Sequence, residues 1–447
     1  MRLSNFFLTA ASSLALVAML GAPASAADKD ANGDPCVGGH LDGALQCMKE
    51  PADTSAHPYR RAGVSDPRLA KNAGFSPYWS GYQPRLFYAA VPGSIVVLDP
   101  MQHYKFVKRI VFDDRPAQFA REGISAMMGS PATNMLYVST RGHLIAIDLA
   151  TEKVAWNNAY KPGTCCERGQ VTPDGLTLEV GSDLKDFHYV IDAKTGAVKG
   201  TIPTPKSMFN HNMNMRPDGK VVFDAPNGNT LTVASMETLK PIKTITFSDH
   251  IRPFVINHDG SKIYANLNNL LGFEIADVAS GKVVKRIEAP AEMWKAKWAD
   301  PNQQFFGHGA PMHGIAMTPD ESEIWLADAI NNQVLVYDNP INGEWPTLNM
   351  KKTFKTNGNP NGWITMGLDG KYAYMASGDV VDVRTHKIVD QLKDEYGRYM
   401  DSEKVLEVEF DRDGKMSRVV NQFAIGDPQA YAARVAKAKG NKEARAD

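Results

Sequence analysis

From about residue 85 to residue 421 the chain alternates short apolar runs with polar turns, and the alternation repeats. Each unit reads as a short strand, a turn of the Pro-Asp-Gly kind, an apolar strand, a loop, and a strand ending near Asp. The turns are Ser130-Pro131-Ala132, Pro173-Asp174-Gly175, Pro217-Asp218-Gly219, His258-Asp259-Gly260, Pro319-Asp320-Glu321, Leu368-Asp369-Gly370 and Arg412-Asp413-Gly414, at spacings of 42, 44, 41, 61, 49 and 44. The runs that follow, such as Met135-Leu136-Tyr137-Val138 and Glu323-Ile324-Trp325-Leu326, are rich in β-branched and aromatic residues, as strands are. Repeats of roughly 40–50 residues with several strands each predict blades stacked around an axis, because one such unit cannot bury both of its faces alone.

Seven units are counted, beginning with Arg85-Leu86-Phe87-Tyr88 and Ile95-Val96-Val97-Leu98-Asp99. The first lacks a turn before it, and a surplus turn follows Val405-Leu406-Glu407-Val408-Glu409-Phe410. The expected fold is therefore an all-β, seven-bladed β-propeller of four-stranded antiparallel blades, with C-terminal strands completing the first blade and removing exposed sheet edges. Eight blades is the rival count.

Outside the propeller (85–427) lie three kinds of sequence. Residues 1–26 read as a signal peptide, with Arg2, an apolar run from Phe6 to Leu20, and the small-residue site Ala24-Ser25-Ala26. Residues 27–84 are an irregular Pro- and Gly-rich lead-in, and 428–447 are a Lys- and Ala-rich tail, expected to be a frayed helix or disordered. The 61-residue interval also carries an aromatic insertion around Trp294, Trp298, Phe305 and Phe306, where the two tryptophans suit one helical face packed on a blade. A periplasmic or secreted protein with no membrane span after cleavage is expected. The formal net charge of −1, or −2 without Arg2, gives no reason to expect nucleic acid as a partner.

The segment His313-Gly314-Ile315-Ala316-Met317-Thr318-Pro319-Asp320, with Ile324-Trp325-Leu326-Ala327-Asp328 and Val334-Leu335-Val336-Tyr337-Asp338, resembles the YVTN-type propeller repeat. That broad group is related in shape to lactonase-like propellers and to the heavy subunits of quinoprotein amine dehydrogenases. The resemblance implies the fold; many unrelated activities sit on this scaffold. No Cys-x-x-Cys-His haem motif occurs.

If the innermost strand of each blade ends at its turn, the residue six before each turn marker occupies an equivalent place near one mouth of the channel. Those residues are Ser125, Glu167, His211, Arg252, His313, Gly362 and Leu406. Glu167, His211, Arg252 and His313 are thereby candidates for one site, with His250 and His308 as secondary candidates. Two imidazoles and a carboxylate (His211, His313, Glu167) hold a divalent metal or act as acid and base, and Arg252 suits an anion. All four cysteines lie in the exported part: Cys36 and Cys47 would staple the lead-in, while adjacent Cys165 and Cys166 form a vicinal disulfide, stay as two buried thiols, or have one thiol bonded elsewhere. His40, His57, His103, His143, His188 and His386 read as surface residues, and His258 as a structural turn residue.

The leading expectation is an enzyme acting on a small anionic organic molecule by non-hydride chemistry: lactone hydrolysis, elimination or isomerisation. A copper-dependent oxidoreductase, the propeller subunit of a quinone-dependent dehydrogenase, and a scaffold for another exported protein are the alternatives.

Overall fold

The turn chemistry explains the repeat. In four of the turns the Asp accepts a backbone N–H two residues on: Asp174 from Leu176 (3.0 Å), Asp218 from Lys220 (3.0 Å), Asp259 from Ser261 (2.9 Å) and Asp320 from Ser322 (2.9 Å). The next residue takes positive φ, between 62° and 76° at Gly175, Gly219, Gly260, Gly370 and Gly414, which glycine adopts without a Cβ penalty. In one unit Glu321 fills that place at φ 59°, and its carboxylate accepts from the backbone N–H and Nδ1 of His258. His258 is thus a structural turn residue, as expected. The Asp that closes the third strand of a unit acts similarly: Asp148, Asp192 and Asp382 each accept a backbone N–H three residues later.

The computed structural model describes residues 37–41, 44–48 and, with breaks, 85–443; the longer breaks are 112–123, 161–165, 206–209 and 301–309. Seven antiparallel sheets of four or five strands form the seven blades of a β-propeller. Blade 2 spans 126–159, blade 3 169–203, blade 4 210–246, blade 5 251–288, blade 6 312–355 and blade 7 364–391. Each inner strand pairs with the next strand in the chain and the fourth strand lies outermost. Blade 1 is built from both ends: Arg85–Val91, Ser94–Asp99 and Lys105–Val111 supply three strands, and Val405–Phe410 supplies the inner one. A fifth strand, Met416–Val419, pairs with that inner strand on its free side.

An ion network locks this closure. Arg85 Nε donates to Glu409 at 3.0 Å, Arg418 Nη2 reaches Glu409 at 2.9 Å, and both arginines reach Asp369 on the blade 7 turn, at 2.6 and 3.0 Å. Apolar packing also crosses the seam, where Phe87 and Tyr104 of blade 1 meet the Tyr374 ring of blade 7.

The chain then crosses the channel. Phe423 is buried against Trp363 of blade 7 and Met213 of blade 4. The Ala424 carbonyl accepts from Met317 N–H (2.9 Å), and Gly426 N–H donates to the Ile256 carbonyl (3.0 Å). The tail is helix Pro428–Glu443, capped by Asp427 and docked under blades 5 and 6 by Arg434, which donates to the carbonyls of Asp320 and Asn339, and by Tyr431 stacked on His258. A short helix, Lys295–Trp298, carries the insertion; Trp294 is buried and Trp298 packs beside it, while Phe305 and Phe306 lie outside the described residues. Residues Val37–Leu41 and Ala44–Met48 form a hairpin within the lead-in. Among the described residues no helix is long and apolar enough to cross a membrane.

Two outcomes follow from this closure. Glu409→Gln removes one carboxylate from two partly exposed arginines that keep Asp369, and is expected to destabilise the fold by about 1–2 kcal/mol in chemical denaturation. Hydrogen bonds from Arg418 hold the Glu409 carboxyl below its ordinary value of 4.5, so its stabilisation is full above that pH and is lost as the pH falls through the depressed folded value. The variant should accordingly show a flatter acid limb than the wild type below pH 4.5; an identical acid limb would show that Glu409 is not the group responsible. Phe423→Ala is expected to cost about 3–5 kcal/mol by emptying the channel contact. A midpoint shift comparable to that of an exposed residue such as Met350 would refute the plug.

Candidate functional site

The seven register positions do stand at the heads of the inner strands. Ser125, Glu167 and Gly362 immediately precede or lead into theirs, and His211, Arg252, His313 and Leu406 are each the second residue of theirs. Three consecutive blades break their pairing register there: between Asn210 and Asn212 in blade 4, Ile251 and Phe254 in blade 5, and Met312 and Ile315 in blade 6. A bulge of this kind re-aims the side chain it carries. His211, Arg252 and His313 occupy the three breaks.

Their surroundings differ. Arg252 is half-buried and its Nε donates to Asn268; burial lowers its pKa below the ordinary value, with Asp249 acting in the opposite sense. His313 is fully buried, with Nδ1 2.9 Å from the Gly362 carbonyl of blade 7 and its ring 6.4 Å from that of Trp363. Glu167 is half-buried, and its carbonyl accepts from Ser139 (3.1 Å). The His211 side chain, His308, Cys36, Cys165 and the Cys47 side chain lie outside the described residues. Cys166 is buried. His250 is half exposed beside Asp249, at 3.6 Å.

One residue beyond Glu167 stands a group that the register did not single out. Arg168 is fully buried, with its guanidinium carbon 4.1 Å from the centroid of the Trp363 ring, a cation–π arrangement. Nη2 lies 3.2 Å from Glu403, whose other close partner is Lys404 at 2.7 Å. Nε and Nη1 have no hydrogen-bond partner among the described residues. Trp363 in turn packs on Phe423, so the plug forms the floor beneath the arginine. Position 362 favours glycine, since a Cβ there would come within 2.8 Å of the Ala376 Cβ, which cannot swing away. His313 and Arg168 therefore meet around Trp363. The arrangement offers permanent positive charge, an aromatic face and an imidazole in a place shielded from water, where charge interactions are strengthened.

A second polar cluster lies between blades 3 and 4. His188 is a correction to the surface reading: it is fully buried, with Nδ1 bonded to Glu179 and 3.5 Å from Asp224. Burial alone would lower its pKa, but the charges of Asp224 and Glu179 outweigh that and raise it to about 9. Burial and the neighbouring Glu179 push the Asp224 carboxyl well above the ordinary range. His386 is a lesser correction: it is mostly buried, 2.9 Å from Glu323 and beside the Trp325 ring. His103 is exposed as expected, and His143 is half-buried, 2.8 Å from Asn157.

No family model matches the chain, and no curated protein matches it. Among solved structures it is similar to hydrazine synthase of Kuenenia stuttgartiensis, at 20% identity and a TM-score of 0.42, over 66% of this chain and 86% of that one. The seven-bladed architecture itself rests on the strand pairing described above.

The Arg168 environment predicts unequal effects of neighbouring substitutions. Among the described residues Glu403 is the one carboxylate paired with the buried Arg168, and Glu403→Gln is expected to cost about 3 kcal/mol. Lys404→Met alters a more exposed partner and should stay within about 1 kcal/mol of wild type. Equal losses in urea denaturation would contradict the buried-charge account.

Proposed function

We propose that this propeller is an exported, YVTN-type protein that binds a small anionic organic molecule at the channel mouth and transforms it without hydride transfer, by lactone hydrolysis, elimination or isomerisation. The observation that carries the reading is Arg168: a fully buried guanidinium stacked on an aromatic ring, with two donor nitrogens that no described residue takes. A buried cation without enough partners is costly, and an anion that accepts from those donors offsets the cost.

In this reading Arg168 and Arg252 orient the anion, while Trp363 gives its organic part a flat apolar face. His313, held by the Gly362 carbonyl through Nδ1, presents Nε2 for proton transfer, and His211 and Glu167 serve as the partner acid and base. The bulges at His211, Arg252 and His313 support it, since such irregularities gather next to active sites. A vicinal Cys165–Cys166 disulfide would stiffen the approach to Glu167 and Arg168; the burial of Cys166 and its lack of a free thiol favour it.

The test uses protein exported in its native host and a panel of mono- and dicarboxylic acids with γ- and δ-lactones, followed by calorimetry and turnover. Arg168→Gln is expected to weaken binding of the responsive compound at least about tenfold, the scale of one charge-assisted hydrogen bond. His313→Gln should lower turnover more than affinity. Unchanged binding and turnover in folded Arg168→Gln, Arg252→Gln, His313→Gln and Glu167→Gln proteins would end this proposal.

A further inference from the structure

The cluster between blades 3 and 4 belongs to no part of the channel site. Its members come from three strands: Glu179 on Thr177–Gly181, His188 on Phe187–Asp192, and Asp224 on Val221–Pro226. All three are fully buried, and one ligating atom from each lies within 4.8 Å of the others. Apolar packing from Val190, Ile202, Met215, Val222 and Ala234 occupies the same interface. Acidic side chains are rarely placed among such residues without a compensating charge.

Three features point to a cation as that compensation. The donors are mixed, one imidazole nitrogen and two carboxylate oxygens, and a divalent ion would take the place of the proton that His188 otherwise holds between the two carboxylates. Among the described residues neither Asp224 oxygen has a hydrogen-bond donor, although the side chain is fully buried and faces the His188 ring. The far oxygen of Glu179 is held at 2.7 Å by the Gln170 amide, as an outer partner orients a ligating carboxylate. We propose that Glu179, His188 and Asp224 form a buried structural site for a first-row divalent cation of the zinc or manganese type, stapling blade 3 to blade 4. The ion's place is behind the channel wall, because Asp224 stands opposite Met213 in register and Met213 packs on Trp363 and Phe423. The site is therefore structural and lies apart from the His211, His313 and Glu167 set considered at the channel.

The experiment uses the full chain purified without chelator. Elemental analysis is expected to find about one zinc or manganese per chain in the wild type and in His313→Gln, and less than about a tenth of that in Asp224→Asn. Dialysis of the wild type against chelator should lower its Tm, and added Zn²⁺ or Mn²⁺ should restore about 5 °C while Mg²⁺ does not, the size expected for an ion near a hundred times its Kd. The chelation arm needs no variant, so a poorly folding Asp224→Asn does not affect it. Wild-type protein that is free of metal, with a Tm unmoved by chelator, Zn²⁺ or Mn²⁺, overturns the proposal. So does metal that is retained in Asp224→Asn and lost in His313→Gln.

Discussion

The rest of the molecule depends on how the ring is closed. Six blades are continuous in the chain, but blade 1 exists only when Val405–Phe410 returns to pair with Arg85–Val91. That pairing removes the unpaired edges an open ring would expose. The arginine–carboxylate network at the seam then draws blade 7, the first strand and the last strands into one unit, through Asp369, Arg85, Glu409 and Arg418. Because the final strand lies on the channel side of blade 1, the chain that follows has only the channel to cross. Closure and plugging are consequences of one topology.

The plug in turn sets the character of the channel site. Phe423 and Trp363 form an apolar floor, and Arg168 lies flat over the tryptophan with Glu403 at its side. Excluding water there makes each charge more consequential, since a buried guanidinium keeps its charge and must find acceptors. Among the described residues one carboxylate, that of Glu403, reaches it. The histidine brought to the same ring, His313, is fixed by a backbone carbonyl from the neighbouring blade, so its orientation depends on blade packing and not on loop conformation.

Much of the fold was legible because it is local and periodic. The Asp that accepts a backbone N–H two residues on, and the positive-φ residue after it, leave a visible mark every 41 to 61 residues. The strand-head register was legible for the same reason. What the periodicity could not carry were partners distant in sequence. Arg168 sits one residue past the register position, and its significance depends on Trp363, Glu403 and Phe423, all roughly two hundred residues or more away. His188 reads as an outer-strand residue until Glu179 and Asp224 are brought against it. For His188 a signal was present: an acid inside the apolar runs Leu178-Glu179-Val180 and Val222-Phe223-Asp224-Ala225 is a charge that burial must pair.

We propose that the buried guanidinium beside Trp363 has its partners completed by an anionic ligand. An experimental structure of protein matured in its own host tests it most directly, through the density around the Arg168 guanidinium. We expect a non-protein anion within hydrogen-bond reach of Nε or Nη1, in contact with the Trp363 ring. A structure in which both nitrogens donate to protein carbonyls or carboxylates, leaving no space beside the tryptophan, would contradict it.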